Sequence, residues 1–135
     1  MQWSKLKKRH TDLLAESLRG RLDIHVTEIR KVPVDLGLAW ITFKGEKIVS
    51  VTIPTFYDRN FDFSTDTADF GRAIGFIVEN DIEQLKNSND PVVRGLIFLD
   101  RRVGKRYLQQ VESSSLHPFT RVLFQLRCRA DGLEC

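Results

Sequence analysis

The spacing of apolar residues changes twice along this chain, and this change limits the folds that it can adopt. Between residues 3 and 18, apolar side chains recur every three or four residues, which is the period of an α-helix. From residue 21 to residue 53 they alternate with polar side chains in three short runs, which is typical of β-strands. Beyond residue 66 the helical spacing returns. Separate helical and strand blocks predict the α+β class.

The first two blocks predict a helix and a sheet. A helix is expected over residues 4–18, and the alternating block is expected to form a three-stranded antiparallel meander. Its second and third strands are joined by a short turn at Lys44–Glu46, where Gly45 can adopt a positive φ. The alternation slips at Glu28 and Ile29, which indicates either a β-bulge or exposure of that end of the strand.

The third block predicts about three helices that pack on the sheet. The first begins near Asp66, the second runs from Pro91 to about Val111, and the third opens at His117 and ends at Gly132 in a left-handed stop. A glycine within the second segment leaves a strand over residues 92–99 as an alternative. The length of 135 residues fits one domain, so a single domain over residues 1–135 is predicted.

Composition limits the environment in which the protein works. The chain has two cysteines, Cys128 and Cys135, and a disulfide framework needs more, so both are expected to be free thiols in a reducing compartment. Cys128 is expected to be a small buried apolar residue. No signal peptide follows the N-terminus, and no apolar run is long enough to cross a membrane. We therefore expect a cytoplasmic protein without a membrane partner, and its oligomeric state stays open.

The charges are distributed unevenly along the chain. The formal net charge is only +3, but residues 54–90 carry eight acidic side chains against three basic ones, while both flanking regions are basic. An acidic middle between two basic ends is typical of a docking surface. The alternative is that these segments pack together and neutralise one another.

Aromatic and acidic side chains are interleaved between the sheet and the next helix. Exposed aromatic residues provide contact area at protein interfaces, and neighbouring acids attract a basic partner. The alternative is that the rings anchor the segment to the core while the acids cap the helix. The predicted partner-binding residues are Tyr57, Asp58, Phe61, Asp62, Phe63, Asp66 and Asp69.

A basic cluster follows Asp100. Arg101, Arg102, Lys105 and Arg106 fall at four-residue spacing, so on a helix their like charges lie together. Such a cluster is destabilising unless phosphates or acids face it, and it is the alternative anion-binding or nucleic-acid-binding site. A salt network with Asp100 and the acids of the second helix is the other explanation. The small net charge makes a nucleic-acid partner the weaker choice.

Catalytic and metal signatures are absent from the sequence. Asp23 and His25 share one face of a strand and form a candidate acid–base pair, but no nucleophile motif accompanies them. His10 lies on the apolar face of the first helix and is expected at the edge of the core. His117 is expected to cap the last helix. The histidines and cysteines show no ligand spacing, so neither a metal, a cofactor nor an enzymatic activity is predicted.

Three stretches carry a resemblance to a family of small bacterial proteins: residues 3–7 with Gly20 and Arg21 downstream, residues 99–106, and residues 126–133. This family is similar to the cognate immunity proteins of bacterial polymorphic toxins, encoded beside Rhs or contact-dependent toxins. The resemblance covers nearly the whole chain and supplies no catalytic residues. It implies an immunity protein that binds and neutralises a secreted toxin domain through protein–protein contact. A small nucleic-acid-binding or regulatory protein is the alternative function.

Overall fold

The computed structural model describes the backbone of residues 3–31, 34–54 and 67–134, and the side chains of residues 4–25, 39–50 and 73–134. In these parts one helix precedes a three-stranded antiparallel sheet and five helices follow it, so the predicted α+β class is confirmed. The α-helices are α1 (Trp3–Leu13), α2 (Thr67–Glu79), α3 (Ile82–Leu85), α4 (Pro91–Ile97), α5 (Lys105–Gln110) and α6 (Pro118–Ala130). The strands are β1 (Leu22–Lys31), β2 (Val34–Phe43) and β3 (Glu46–Pro54), and short 3-10 turns occupy Glu16–Leu18 and Ser113–Ser115.

The first helix is shorter than the spacing predicted. α1 ends at Leu13 because the backbone that follows pairs with a distant part of the chain. The Ala15 N–H donates to the Leu99 carbonyl at 2.8 Å, and the Arg101 N–H donates to the Leu13 carbonyl at 2.6 Å. These bonds use main-chain groups that a continuing helix would bond within itself. The apolar spacing therefore continues to residue 18, although the backbone beyond Leu13 is no longer α-helical.

The predicted helix over residues 91–111 is two helices separated by a buried turn. α4 begins as expected, since Asp90 accepts a hydrogen bond from the Val92 N–H at 2.9 Å and Pro91 occupies the first turn. The chain then turns over residues 98–104, and the strand alternative is wrong because residues 92–97 are helical. Leu99 and Val103 are fully buried in the turn, so they keep their apolar character without a helix.

The three strands form the predicted meander in the order β1–β2–β3. Lys44 (φ +53°) and Gly45 (φ +83°) both lie in the left-handed region, which is the conformation of a two-residue type I′ turn. β1 pairs residue by residue with β2 over its whole length, so there is no bulge at residues 28–29. The irregular register lies instead between Ile41 and Thr42, in the pairing of β2 with β3.

One hydrophobic core joins the helices to the inner face of the sheet. α2 packs against α1, α4 and the sheet, while α6 packs against α4 and β3. Ile41 of β2, Ile74 and Ile77 of α2, and Phe124 of α6 are completely buried in this core. Across the described parts of the chain, none of the helices is both long and apolar enough to cross a membrane.

The ends of α6 match their sequence signals. The His117 ring accepts a hydrogen bond through Nδ1 from the Phe119 N–H at 3.1 Å, which confirms the expected N-cap. At the other end Gly132 has φ +71°, and the Leu133 N–H donates to the Cys128 carbonyl at 2.8 Å. This pattern is the Schellman motif that the glycine predicted.

The contact between α4 and α6 depends on Gly95. A Cβ built there would lie 3.0 Å from Phe119 and 3.1 Å from Leu123, whereas one at Gly75 of α2 would lie 3.9 Å from its nearest neighbour, Leu6. Both α6 side chains are buried and have little room to move. A glycine in α4 therefore allows close approach of the two helices.

We expect opposite effects from the same substitution at these two glycines. Gly75→Ala should raise the free energy of unfolding by about 0.5–1 kcal/mol, because alanine favours a helix and meets no clash. Gly95→Ala should lower it by about 1 kcal/mol, because overpacking outweighs the same helix gain. Urea unfolding measures both. Equal stability of the two variants would contradict the close-packing explanation.

Candidate functional site

A buried carboxylate organises the turn between α4 and α5. The Asp100 side chain is completely buried. Its oxygens accept hydrogen bonds from the Arg102 N–H at 2.8 Å, from Arg102 Nε at 3.0 Å and from Arg102 Nη2 at 2.8 Å. The pair neutralises itself, which a buried charge requires. The hydrogen bonds to Asp100, opposed by partial burial, raise the pKa of Arg102 above its usual value.

The same guanidinium closes the end of α2. Arg102 Nη1 donates to the Asn80 carbonyl at 2.8 Å, and Nη2 donates to the Ile77 carbonyl at 2.9 Å. Carbonyl groups at a helix C-terminus lack partners within the helix, and a cation there also matches the helix dipole. Arg102 thus caps α2 from a position 22 to 25 residues away in sequence.

A second guanidinium holds the turn from the side of α6. Arg127 is only 5% exposed. Its Nη1 donates to the carbonyls of Phe98 (2.9 Å) and Asp100 (2.8 Å), its Nη2 donates to the Val103 carbonyl (2.6 Å), and its Nε donates to Asp131 (2.8 Å). Three main-chain carbonyl groups of the turn are therefore satisfied by one side chain.

These contacts change the interpretation of the basic cluster. Arg102 is half-buried and bound internally, while Arg101, Lys105 and Arg106 are exposed. The expected helical pairs 101/105 and 102/106 are wrong, because α5 begins only at Lys105. The salt network with Asp100 is present, but the α2 groups that Arg102 contacts are carbonyls rather than acids. Three exposed cations are left of the predicted anion-binding set.

His10 lies beside this network, as its place on the apolar face of the first helix predicted. It is 3% exposed, and burial lowers its pKa from 6.5 to about 4, against the attraction of Asp100. Arg102 lowers the pKa further. The imidazole is neutral at physiological pH, so Arg102 faces no second buried cation.

Asp23 and His25 lie on the exposed face of the sheet. His25 Nε2 is 3.6 Å from the Asp23 carboxylate and 3.2 Å from the Thr42 hydroxyl, and its ring stacks on Trp40 with centroids 5.0 Å apart. The predicted shared face is confirmed. Burial opposes ionisation of Asp23, but Lys7, at 2.7 Å, outweighs it and lowers the pKa of the carboxyl.

The surroundings of this pair provide little space for a substrate. Asp23 borders a cavity of about 10 Å³, which is the size of a single water molecule, and His25 is not among its lining residues. Among the described residues, no group of three or more His, Cys, Asp or Glu side chains is placed to hold a metal ion. The geometry of Asp23 and His25 is that of a surface ion pair supported by an aromatic contact.

The predicted acidic and aromatic surface falls almost entirely outside the described residues. This applies to Tyr57, Asp58, Phe61, Asp62, Phe63 and Asp66. Asp69 belongs to α2, but its side chain is outside the described part of the structure. Its role in partner binding stays a prediction.

Cys128 differs from its expectation in one respect. It is buried, as predicted, but it is disulfide-bonded and not a free thiol. Two cysteines are too few for a disulfide framework, yet they suffice for a single bond, so the prediction of a free thiol at Cys128 is wrong. The cytoplasmic location loses one of its supports and stays a prediction.

A groove between the β2–β3 turn and α6 was not visible in the sequence. It encloses about 550 Å³ and is bordered by Arg21, Lys44 and Arg129, which are 23 and 85 residues apart along the chain. No local motif connects such distant positions. The one signal was the strand pairing, which places the turn next to the residues that precede β1.

Comparison with known proteins assigns a family. A family model described as the SF0329 protein family matches residues 2–71 and 63–128, which together cover most of the chain. The chain belongs to the SF0329 protein family. No curated protein and no solved structure matches it. The two segments that match the SF0329 model together contain Arg102, Arg127 and the strands β1 to β3.

Replacing the guanidinium of Arg127 tests the anchoring role of the α6 contact. Arg127→Lys keeps the charge but cannot reach three carbonyls and a carboxylate at once, so we expect the free energy of unfolding to fall by about 2–4 kcal/mol. Arg129→Lys, two residues away and exposed, should change it by less than about 0.5 kcal/mol. Chemical unfolding of both variants provides the measurement. Similar losses in the two variants would refute a specific role for Arg127.

The low pKa of His10 predicts acid sensitivity. The folded protein disfavours protonation, so the unfolded chain binds more protons between about pH 6.5 and pH 4, and stability falls as the pH is lowered through this window. From pH 7 to pH 4.5 the loss due to His10 should be about 2 kcal/mol. His10→Leu should remove that loss, while His25→Gln should retain it. An unchanged pH dependence in His10→Leu would show that another group is responsible.

Proposed function

We propose that this SF0329 protein is a non-catalytic binding protein that neutralises a secreted bacterial toxin, as immunity proteins do. The proposal rests on the resemblance of three stretches to that group of proteins and on the way in which the structure uses its charges. Its predicted contact surface is the acidic and aromatic segment from Tyr57 to Asp69.

The internal partners of Arg102 and Arg127 support this proposal. Arg102 is neutralised by Asp100, and Arg127 by Asp131, while main-chain carbonyls accept their remaining hydrogen bonds. The sequence had left open whether the acids of residues 58–69 balance the arginines of residues 101–106. Since the half-buried Arg102 already has internal partners, the acidic segment is not needed to neutralise it. The observation supports an external role for these acids.

The three stretches that carry the resemblance have identifiable structural roles. Arg127, from the third stretch, donates to the carbonyls of Asp100 and Val103 in the second. Lys7 belongs to the first stretch and forms an ion pair with Asp23. Asp23 lies two residues after Arg21, which is also part of the resemblance. Motifs that hold a fold together are common to proteins whose partners differ. The partner surface is therefore better sought outside these stretches.

The proposed mechanism is occlusion of a charged cleft. Many toxins that act on nucleic acids bind their substrate in a basic cleft, because phosphates must be attracted there. Carboxylates carry negative charge, as phosphates do, so an acidic segment can occupy such a cleft in place of the nucleic acid. The aromatic rings add contact area that excludes water, and close charge pairs in such interfaces contribute several kcal/mol.

Exposure of Arg101, Lys105 and Arg106 favours the alternative, a small nucleic-acid-binding or regulatory protein. Loss of Arg102 to the internal network weakens that alternative, because fewer cations face solvent than the sequence implied. Phosphate contacts make affinity fall steeply with salt, so a titration against duplex and single-stranded nucleic acid at two salt concentrations distinguishes the two functions.

Reversing the acidic charges tests the proposed surface. The variant with Asp58→Lys, Asp62→Lys and Asp66→Lys should bind the toxin encoded by the neighbouring gene on the order of a hundredfold more weakly, since each reversal replaces attraction by repulsion. It should also fail to protect cells that express the toxin, while its circular dichroism spectrum is unchanged.

The matched control carries Glu16→Lys, Glu112→Lys and Glu134→Lys. These three carboxylates are exposed and make the same change in net charge elsewhere on the chain. The control should protect cells as well as the unmodified protein does. Full protection by the aspartate variant, or an equal loss in the control, would exclude this surface.

A further inference from the structure

The groove between the β2–β3 turn and α6 combines an apolar floor with a cationic rim. Its volume of about 550 Å³ lies within the range of small-molecule sites. Its floor comes from Phe43 and Ile48 of the hairpin and from Leu126 and Ala130 of α6, and its rim carries Arg21, Lys44, Glu46 and Arg129. Leu126 is buried and the other three floor residues are half-buried.

The walls of this groove are held in place by main-chain contacts. The Lys44 N–H donates to the Arg21 carbonyl at 2.8 Å, which ties the tip of the hairpin to the residue before β1. The opposite wall ends in the Schellman motif at Gly132, which limits fraying of the last turn of α6. The fold itself positions both walls, so binding would require little ordering of the chain.

The cations of the rim have no acidic partner in the part of the chain that the structure describes. Among the described residues, no ion pair within 4 Å joins Arg21, Lys44 or Arg129 to any acid, and Glu46 is the one acid in the lining. Lys7, Arg102 and Arg127 all have such partners, at 2.7 to 2.8 Å. An excess of two positive charges is thus concentrated around an apolar floor.

The end of α6 repels an anion less strongly than a helix C-terminus with unpaired carbonyl groups would. Main-chain N–H groups cover its last carbonyls: Asp131 donates to Arg127, Leu133 to Cys128, and Gly132 to Arg129. The partial negative charge of these oxygens is therefore offset, and Arg129 adds a full positive charge on the same turn. The local field favours a negative group beside the apolar floor.

We propose that this groove binds a small organic anion in which a carboxylate or phosphate is attached to an apolar body. The anionic group lies between Arg21, Lys44 and Arg129, and the apolar body covers Phe43, Ile48 and Leu126. An inorganic ion would leave the floor exposed to water, and a neutral apolar molecule would leave the cations unpaired. The groove shares no residue with the proposed toxin-binding segment, so either proposal can fail without the other.

A series of probes with one apolar body tests this proposal. 2-Naphthoate and 1-naphthyl phosphate carry the two anionic groups, and 2-naphthol provides the neutral control at pH 7. Calorimetric titration should show one saturable site for an anion and weaker binding of 2-naphthol, and the affinity should fall as salt is added. The tighter of the two anions identifies the preferred charged group. Equal affinity for 2-naphthol, or no binding of either anion at millimolar concentration, would overturn the proposal.

A pair of matched variants locates the site. The double variant Arg21→Gln and Arg129→Gln should bind the anions about tenfold more weakly, because two partly exposed charge contacts are removed. The variant with Lys5→Gln and Lys8→Gln loses the same charge from exposed positions on α1, outside the groove, and should bind as the unmodified protein does. Thermal unfolding checks that both variants are folded. An equal loss of affinity in the control variant would show that binding follows net charge and not this groove.

Discussion

Hydrogen bonds from two guanidinium groups determine the course of the chain between α4 and α5. Removing an ion from water is costly, and that cost is recovered only when the charge is paired and its donors are used. Arg127 meets this condition with three carbonyls and Asp131, and Arg102 meets it with Asp100 and two carbonyls of α2. A lysine has no planar set of donors for such an arrangement. These side chains, together with the main-chain bonds to Leu13 and Ala15, satisfy the polar groups of the turn and allow Phe98, Leu99 and Val103 to be buried.

This turn connects parts of the chain that are distant in sequence. The end of α1 pairs with Leu99 and Arg101, the end of α2 is capped by Arg102, and α6 reaches the turn through Arg127. Loosening α6 would expose carbonyl groups that no other described side chain satisfies, and loosening the turn would expose the ends of two helices. The helices are therefore coupled through polar contacts as well as through the apolar core. His10 is buried and neutral, so it adds no second cation to this region.

The sequence predicted those features that depend on local rules. The meander follows from alternation and a Lys44–Gly45 turn, and the end of α6 follows from Gly132 and Leu133. The sequence did not show that the segment over residues 91–111 forms two helices. Leu99 and Val103 keep the spacing of a helix, although their backbone lies in a turn that is held by tertiary contacts. One signal was available for Arg127, which follows Leu123 by four residues and so lies on the apolar side of α6. A charged residue at such a position indicates a buried hydrogen-bonding role when apolar residues surround it.

The groove could not be predicted for a different reason. Arg21, Lys44 and Arg129 belong to a turn, a hairpin and a helix, and only the tertiary structure places them around one cavity. The same tertiary structure removes Arg102 from the exposed cluster that the sequence suggested. One cation of the cluster at residues 101–106 is thus bound within the protein. Three cations that are far apart in the sequence are brought together at the groove. Arg21, Lys44 and Arg129 are exposed and form no ion pair with a described acid, so their charges are available to a ligand, whereas that of Arg102 is not.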